Sequence, residues 1–139
     1  MAALTGITAV RPTSTTRTKR VVYGETVAAG QSVYLDTADN KWKLLDVNAA
    51  SALVAGSAGI GVAMTPGIAT GYGDVAYTGS IILVGTTAAV GTTYFGGQTA
   101  GTFVPHADLT TADYVTRLGT AETTTQILLA LEATGISHA

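Results

Sequence analysis

His106 and His138 are the first residues to weigh for chemistry, since histidine exchanges protons and binds metals near neutral pH. His106 stands in Val104-Pro105-His106-Ala107-Asp108, so a His–Asp couple or a metal ligand pair is one reading. The plainer reading is a loop histidine and an exposed tail histidine. The sequence favours the plainer one, because a reactive centre needs several convergent groups and few are supplied. The acid pairs Asp36 with Asp39 and Asp46 with Asp74 would bind calcium if they converged, but no EF-hand spacing or Asp-rich repeat accompanies them. Turn acids are the expectation there. Gly56-Ser-Ala-Gly59-Ile-Gly61 has the glycines of a dinucleotide loop in the wrong order, leading into a strand instead of opening a helix. Trp42 and the tyrosines at 23, 34, 72, 77, 94 and 114 offer a stacking platform for sugars or bases; aromatics at strand positions more often pack a core. No catalytic, metal-binding or cofactor-binding residue is therefore assigned, and the chain is not expected to be an enzyme.

Charge is the feature left over. The first twenty residues carry Arg11, Arg17, Lys19 and Arg20 and no acid, whereas the remainder holds three bases against nine acids, giving +4 ahead of −6. Rich in Thr and Ser and short of apolar residues, residues 1–20 read as an extended N-terminal arm that orders only on docking, each Arg finding a carboxylate; residues 21–139 read as one β domain. The alternative for the arm is a tail of no consequence. Between Val47 and Gly73 there is no charge at all. A body so poor in charge fits a small module lying against a larger surface.

Other properties narrow the class. At 139 residues the chain suits one core, and with no Cys it has neither disulfides nor thiolate ligands. A net charge of −2 with the bases confined to one segment argues against a general nucleic-acid binder. No window of about 20 residues reads as a membrane span, and residues 1–20 lack the apolar centre of a secretory signal.

The elements that must position these residues are strands. Seventeen glycines punctuate short β-branched or aromatic runs. Gln31–Asp36 and Lys41–Asp46 alternate apolar and polar residues around Thr37-Ala38-Asp39-Asn40, which predicts a hairpin. Further strands are expected at 60–64, 74–78, 81–84, 92–95, 114–118 and 126–131, while the Ala-rich Asn48–Ala55 is left as a helical turn or a loop. Thr26-Val-Ala-Ala-Gly30-Gln-Ser-Val33-Tyr34 is echoed by Thr87-Ala-Ala-Val-Gly91-Thr-Thr-Tyr94-Phe95, and more loosely by Gly71-Tyr72-Gly73-Asp74-Val75. Each is a tight turn feeding a strand. The fold class is all-β, a small β-barrel or β-sandwich, β-tulip-like, with the extended arm.

Three segments carry a resemblance: Val27-Ala-Ala-Gly30-Gln-Ser-Val33-Tyr34-Leu35-Asp36, Ala58-Gly59-Ile60-Gly61-Val62-Ala63, and Val115-Thr-Arg-Leu118-Gly119-Thr-Ala121 with Ile127–Leu131. Over residues 21 to 132 the chain resembles the capsid decoration, or cement, proteins of tailed phages. The resemblance implies a homotrimer made in the host cytoplasm and seated on the virion's capsid exterior, where its arm grips the major capsid protein, with no direct nucleic-acid or membrane contact. Arg11, Arg17, Lys19 and Arg20 match such an arm in placement and character only. The alternatives are another phage structural subunit (a head-fibre base, tail or adaptor component) and a small β-barrel enzyme or carbohydrate-binding module.

Overall fold

A computed structural model describes residues 3–49 and 51–138. Met1 and Ala2 of the expected arm, Ala50 of the Ala-rich stretch and Ala139 lie outside the described residues. Eleven described strands form two antiparallel sheets, and no α-helix occurs among them. The six-stranded sheet runs in the order β1 (Ala9–Pro12), β7 (Ser80–Val84), β11 (Gln126–Ser137), β10 (Tyr114–Ala121), β8 (Thr93–Gly96), β9 (Phe103–Pro105). The five-stranded sheet runs β2 (Arg17–Val22), β6 (Tyr72–Thr78), β5 (Ile60–Ala63), β3 (Ser32–Asp36), β4 (Lys41–Leu44).

The hairpin forms as its alternation requires. Asp36 stands opposite Lys41, Leu35 opposite Trp42, and Asn40 takes the left-handed φ of 60° that the turn needs. On β3 the polar face is buried as well, through Ser32 and Tyr34. Tyr34, Val62 and Ala76 enter the core between the sheets with Leu45, Leu83, Tyr94, Phe103, Leu118 and Ile127. Their strand neighbours Val33, Ala63 and Val75 point the other way, into a second core with Val21, Tyr23, Val27 and Trp42. The five-stranded sheet thus rolls around a core of its own, and its far edges meet at one bridge, Tyr23 with Trp42.

The architecture is a sandwich, not the closed barrel that the turn-and-strand pattern also allowed. Neither sheet closes on itself: β1 and β9 end one, β2 and β4 end the other, and the chain switches sheets at the β6–β7 corner instead of continuing the roll. Gly79 makes that corner. Its φ is +89°, and a Cβ there would overlap the main chain of Thr15.

The segment read as an arm is built into the sheets. β1 pairs with β7 and β2 with β6, so the N-terminal strands lie along the consecutive strands that meet at Gly79. The threonines taken as a mark of mobility fasten the two corners together. The hydroxyls of Thr13 and Thr16 donate to the Ser80 carbonyl, and the Ser80 N–H donates to the Thr15 hydroxyl at 3.1 Å. Leu4, 6 % exposed, fills the main core. Composition pointed elsewhere because hydroxyl side chains and one buried leucine count little in a tally of apolar content. They stabilise through partners sixty-odd residues away that a local window does not contain.

The turn-and-strand echo is broader than the sequence pattern. In Ala28–Gln31, Ala89–Thr92 and Thr99–Thr102 the fourth N–H donates to the first carbonyl, at 3.1 to 3.3 Å, and the third residue is glycine (Gly30, Gly91, Gly101) at a φ between 82° and 88°. Ile68–Gly71 and Thr110–Asp113 repeat the arrangement with Thr70 and Ala112 at the left-handed position. A strand begins immediately after each turn. This is the pattern of a type II turn, whose third position favours glycine.

Remaining differences are of extent. β6 starts at Tyr72, β10 runs to Ala121, β11 runs to Ser137, and β9 was not expected. Residues 52–58 are a run of turns, closed by hydrogen bonds from Gly56 N–H to the Leu53 carbonyl and from Ser57 N–H to the Ala52 carbonyl.

Candidate interaction surface

The four basic residues nominated from the sequence all sit on edge strands. Arg11 is on β1, ahead of Pro12; Arg17, Lys19 and Arg20 are on β2, and every one is exposed. Since β1 and β2 border β7 and β6 across one corner, the cations lie on neighbouring edge strands of the two sheets, with Lys19 and Arg20 turned to opposite faces of β2. They are not equivalent. Arg20 lies opposite Asp74 and pairs with it at 3.2 Å. The Lys19 ammonium sits 4.7 Å from the Trp42 ring centre and 5.6 Å from that of Tyr77. Arg11 and Arg17 have no ion-pair partner among the described residues.

Beside β2 runs a groove of about 350 Å³ lined by Lys19, Val22, Leu35, Asn40, Trp42 and Tyr72, among others. Its position follows from the roll of the five-stranded sheet. The rolled edges join where Gly24 N–H donates to the Trp42 carbonyl at 2.7 Å and the Glu25 carboxylate accepts from Leu44 N–H at 3.0 Å. Before that seam, the outer edge of β2 is open. Tyr72, 71 % exposed, stands opposite Val22 at the groove's margin.

The aromatic set divides cleanly. Tyr23, Tyr34, Trp42 and Tyr94 are core residues, Tyr114 is half-buried against a third cluster of Val47, Val104 and Leu109, and of the set only Tyr72 and Tyr77 are exposed. Burial raises the Tyr23 phenol's pKa, and its hydroxyl donates to the Thr65 carbonyl at 2.8 Å. No stacking platform spans the six tyrosines and Trp42.

Lys43 occupies the place a cation would take between Asp36 and Asp39. Its ammonium is 2.7 Å from one carboxylate and 3.1 Å from the other, and the hydrogen bonds to both hold its pKa well above the ordinary lysine value. The Lys43 hydrogen bond, with that of Ala38 N–H, likewise keeps the Asp36 carboxyl below its usual range. Asp46 accepts from Asn48 N–H, and Asp74 pairs with Arg20, so these two acids serve separate partners. The glycines of Gly56–Gly61 lead into β5 as a packed turn, with no helix following.

The histidines do meet, although the sequence placed them apart. The rings of His106 and His138 are 5.0 Å apart and edge-on, with Phe95 on the other side of His106. No hydrogen bond joins His106 to Asp108 among the described residues. The carboxylate that matters here is Asp113, which the sequence reading passed over. It is 3 % exposed and accepts from the Thr110 N–H at 2.8 Å, the Thr110 hydroxyl at 3.0 Å and the Gln98 amide at 2.7 Å. Burial pushes its pKa up, but these hydrogen bonds and the nearby His138 outweigh it, so the net shift is downward. The one sequence signal was Thr110 three residues before Asp113, a turn pairing.

A carboxyl with a depressed folded-state pKa adds stability above its unfolded value of about 3.9 and loses that contribution as pH falls through the folded value. Asp113→Asn is therefore expected to lower the melting temperature at pH 7. The wild-type advantage should shrink below about pH 4, as followed by thermal melts across pH. An equal deficit at every pH would mean that shape, not charge, matters at this position.

No known protein family matches the chain, and no curated protein matches it.

Proposed function

We propose that this protein is a structural subunit that fastens to a lattice of other proteins, as a decoration protein on the outer surface of a tailed-phage capsid. The observation that carries the reading is the exposure of Arg11, Arg17, Lys19 and Arg20 on neighbouring edge strands of a body otherwise poor in charge. Arg11 and Arg17 are exposed and free to meet carboxylates of a neighbouring subunit. The resemblance over residues 21–132 supplies the identity of that neighbour, the major capsid protein. A homotrimer would present three such surfaces around a local threefold axis, and modest contacts would then add through high effective concentration. Fastening of this kind requires no turnover, cofactor or metal.

A second reading rests on the same residues. Lys, Arg and Pro on edge strands discourage unwanted strand pairing, and both edges here carry them. Cosedimentation with expanded shells assembled from the cognate major capsid protein alone separates the two. The double variant Arg11→Gln/Arg17→Gln should keep its melting temperature, bind shells about tenfold more weakly at low salt, and lose most of its salt sensitivity. Undiminished shell binding combined with new self-association would assign the cations to edge protection. Failure of the wild-type protein to bind shells would remove the capsid reading.

A further inference from the structure

The outer edge of β2 and the groove beside it lie next to one another. The geometry points to an extended, acidic segment of a partner protein that adds to β2 as an extra strand, placing alternate apolar side chains in the groove. This deepens the reading above by naming what the cationic edge holds, and it rests on that reading only for the partner's identity.

Four observations converge. First, β2 ends the five-stranded sheet, and its outer edge is unpaired until Tyr23 reaches Trp42. Main-chain donors and acceptors along such an edge are a template for one more strand. Second, the adjoining groove has an apolar floor, Val22 and Leu35 beside the Lys19-covered Trp42, with Tyr72 standing exposed at its rim. Alternate side chains of an added strand would fall on that floor. Third, the bank is positive. Arg17 has no ion-pair partner among the described residues and Lys19 rests on Trp42, while the nearest acids are spent: Asp74 on Arg20, Asp39 on Lys43. Fourth, the same charges oppose a second copy of β2, because Arg17, Lys19 and Arg20 would face their own kind across a twofold pair. An acid-bearing strand from a different segment is the complementary guest.

Single-stranded nucleic acid is the competing guest for a basic groove with aromatics. Trp42 is 5 % exposed and its ring is already covered by the Lys19 ammonium, which leaves Tyr72 as the stacking surface in the groove. Base stacking needs a succession of such faces.

Trp42 is the sole tryptophan, so its emission reports directly on the groove. The test titrates the full chain with the acetylated, amidated peptide Glu-Val-Glu-Val-Glu-Val, its Lys-Val counterpart, and oligothymidylate, following Trp42 fluorescence and amide hydrogen exchange in residues 17–22. The expected result is a saturable emission change and slowed exchange with the Glu-Val peptide alone, weakened about tenfold by Arg17→Gln/Lys19→Gln. Tyr72→Ser changes only an exposed side chain and should weaken it too, which guards against a folding defect in the charge variant. The proposal is overturned if the Glu-Val peptide has no effect up to about 1 mM, a dissociation constant that corresponds to marginal binding. It is overturned equally if oligothymidylate gives the larger response, or if the Lys-Val peptide binds as well. Peptide binding without shell binding would retain the groove and reject the capsid; shell binding indifferent to Tyr72→Ser, with a silent peptide titration, would do the reverse.

Discussion

Deleting residues 1–20 should lower the melting temperature by about 10 to 20 °C, or abolish cooperative melting altogether. The deletion removes Leu4 from the main core, and truncating a buried leucine costs about 3 kcal/mol once the cavity is counted. It also strips the partially buried Ile7 and Val10 from that core and uncovers the edges of β6 and β7 along their length. A total near 5 kcal/mol is a large share of the 5 to 15 kcal/mol that a domain commonly has. At this chain length each kcal/mol shifts the melting temperature by roughly 2 to 4 °C. Thermal melting by circular dichroism decides it. A truncated chain that melts where the full chain does would restore the separate arm expected from composition, and would mean the strand pairing of β1 and β2 contributes little.

The second large effect is expected at Gly79. Gly79→Ala must place a methyl group against the Thr15 carbonyl and the Thr16 nitrogen while holding a φ of +89°. Neither contact can rotate away, because both are main chain. The cost should be about 3 kcal/mol or more, the combined penalty of a left-handed alanine and of overpacking. Gly91→Ala is the control. Gly91 has a similar φ of +83° but no heavy atom within 4 Å of an added Cβ, so it should lose only about 1 kcal/mol. Melting of the two variants side by side separates steric exclusion from backbone conformation. Equal losses would show that the two corners are not in the contact described. A large excess at Gly79, with faster amide exchange in residues 9–22, would confirm that this corner holds the N-terminal strands in place.

How far the candidate surface was legible in the sequence depends on the range of the signal. Arg11, Arg17, Lys19 and Arg20 stood out because a cluster of like charge is visible in any short window. That the cations belong to two edge strands was not visible. Pairing of Arg17–Val22 with Tyr72–Thr78 joins segments some fifty residues apart, and residue type alone does not name the partner. Asp113 was missed for the same reason: two of its hydrogen bonds come from Thr110 nearby, but the third comes from Gln98 in another loop. The groove is further still from the sequence. It exists because β2 and the tip of the β3–β4 hairpin, at opposite ends of one sheet, are brought side by side by the roll.

By itself the sequence determined what is periodic or local. Alternation over two residues made Ser32–Asp36 and Lys41–Leu44 a hairpin, and Gly30 and Gly91 marked left-handed turns that strands must follow. Those features arise from steric limits on a few adjacent dihedrals and from the side-to-side pleat, both complete within a short stretch. Tertiary structure alone decided sandwich over barrel, the burial of both faces of β3, and the place of the described part of the first twenty residues. Each of these turns on which strands find one another, a choice made by the burial summed over the whole chain and by hydroxyls such as those of Thr13 and Thr16 meeting Ser80 across the fold.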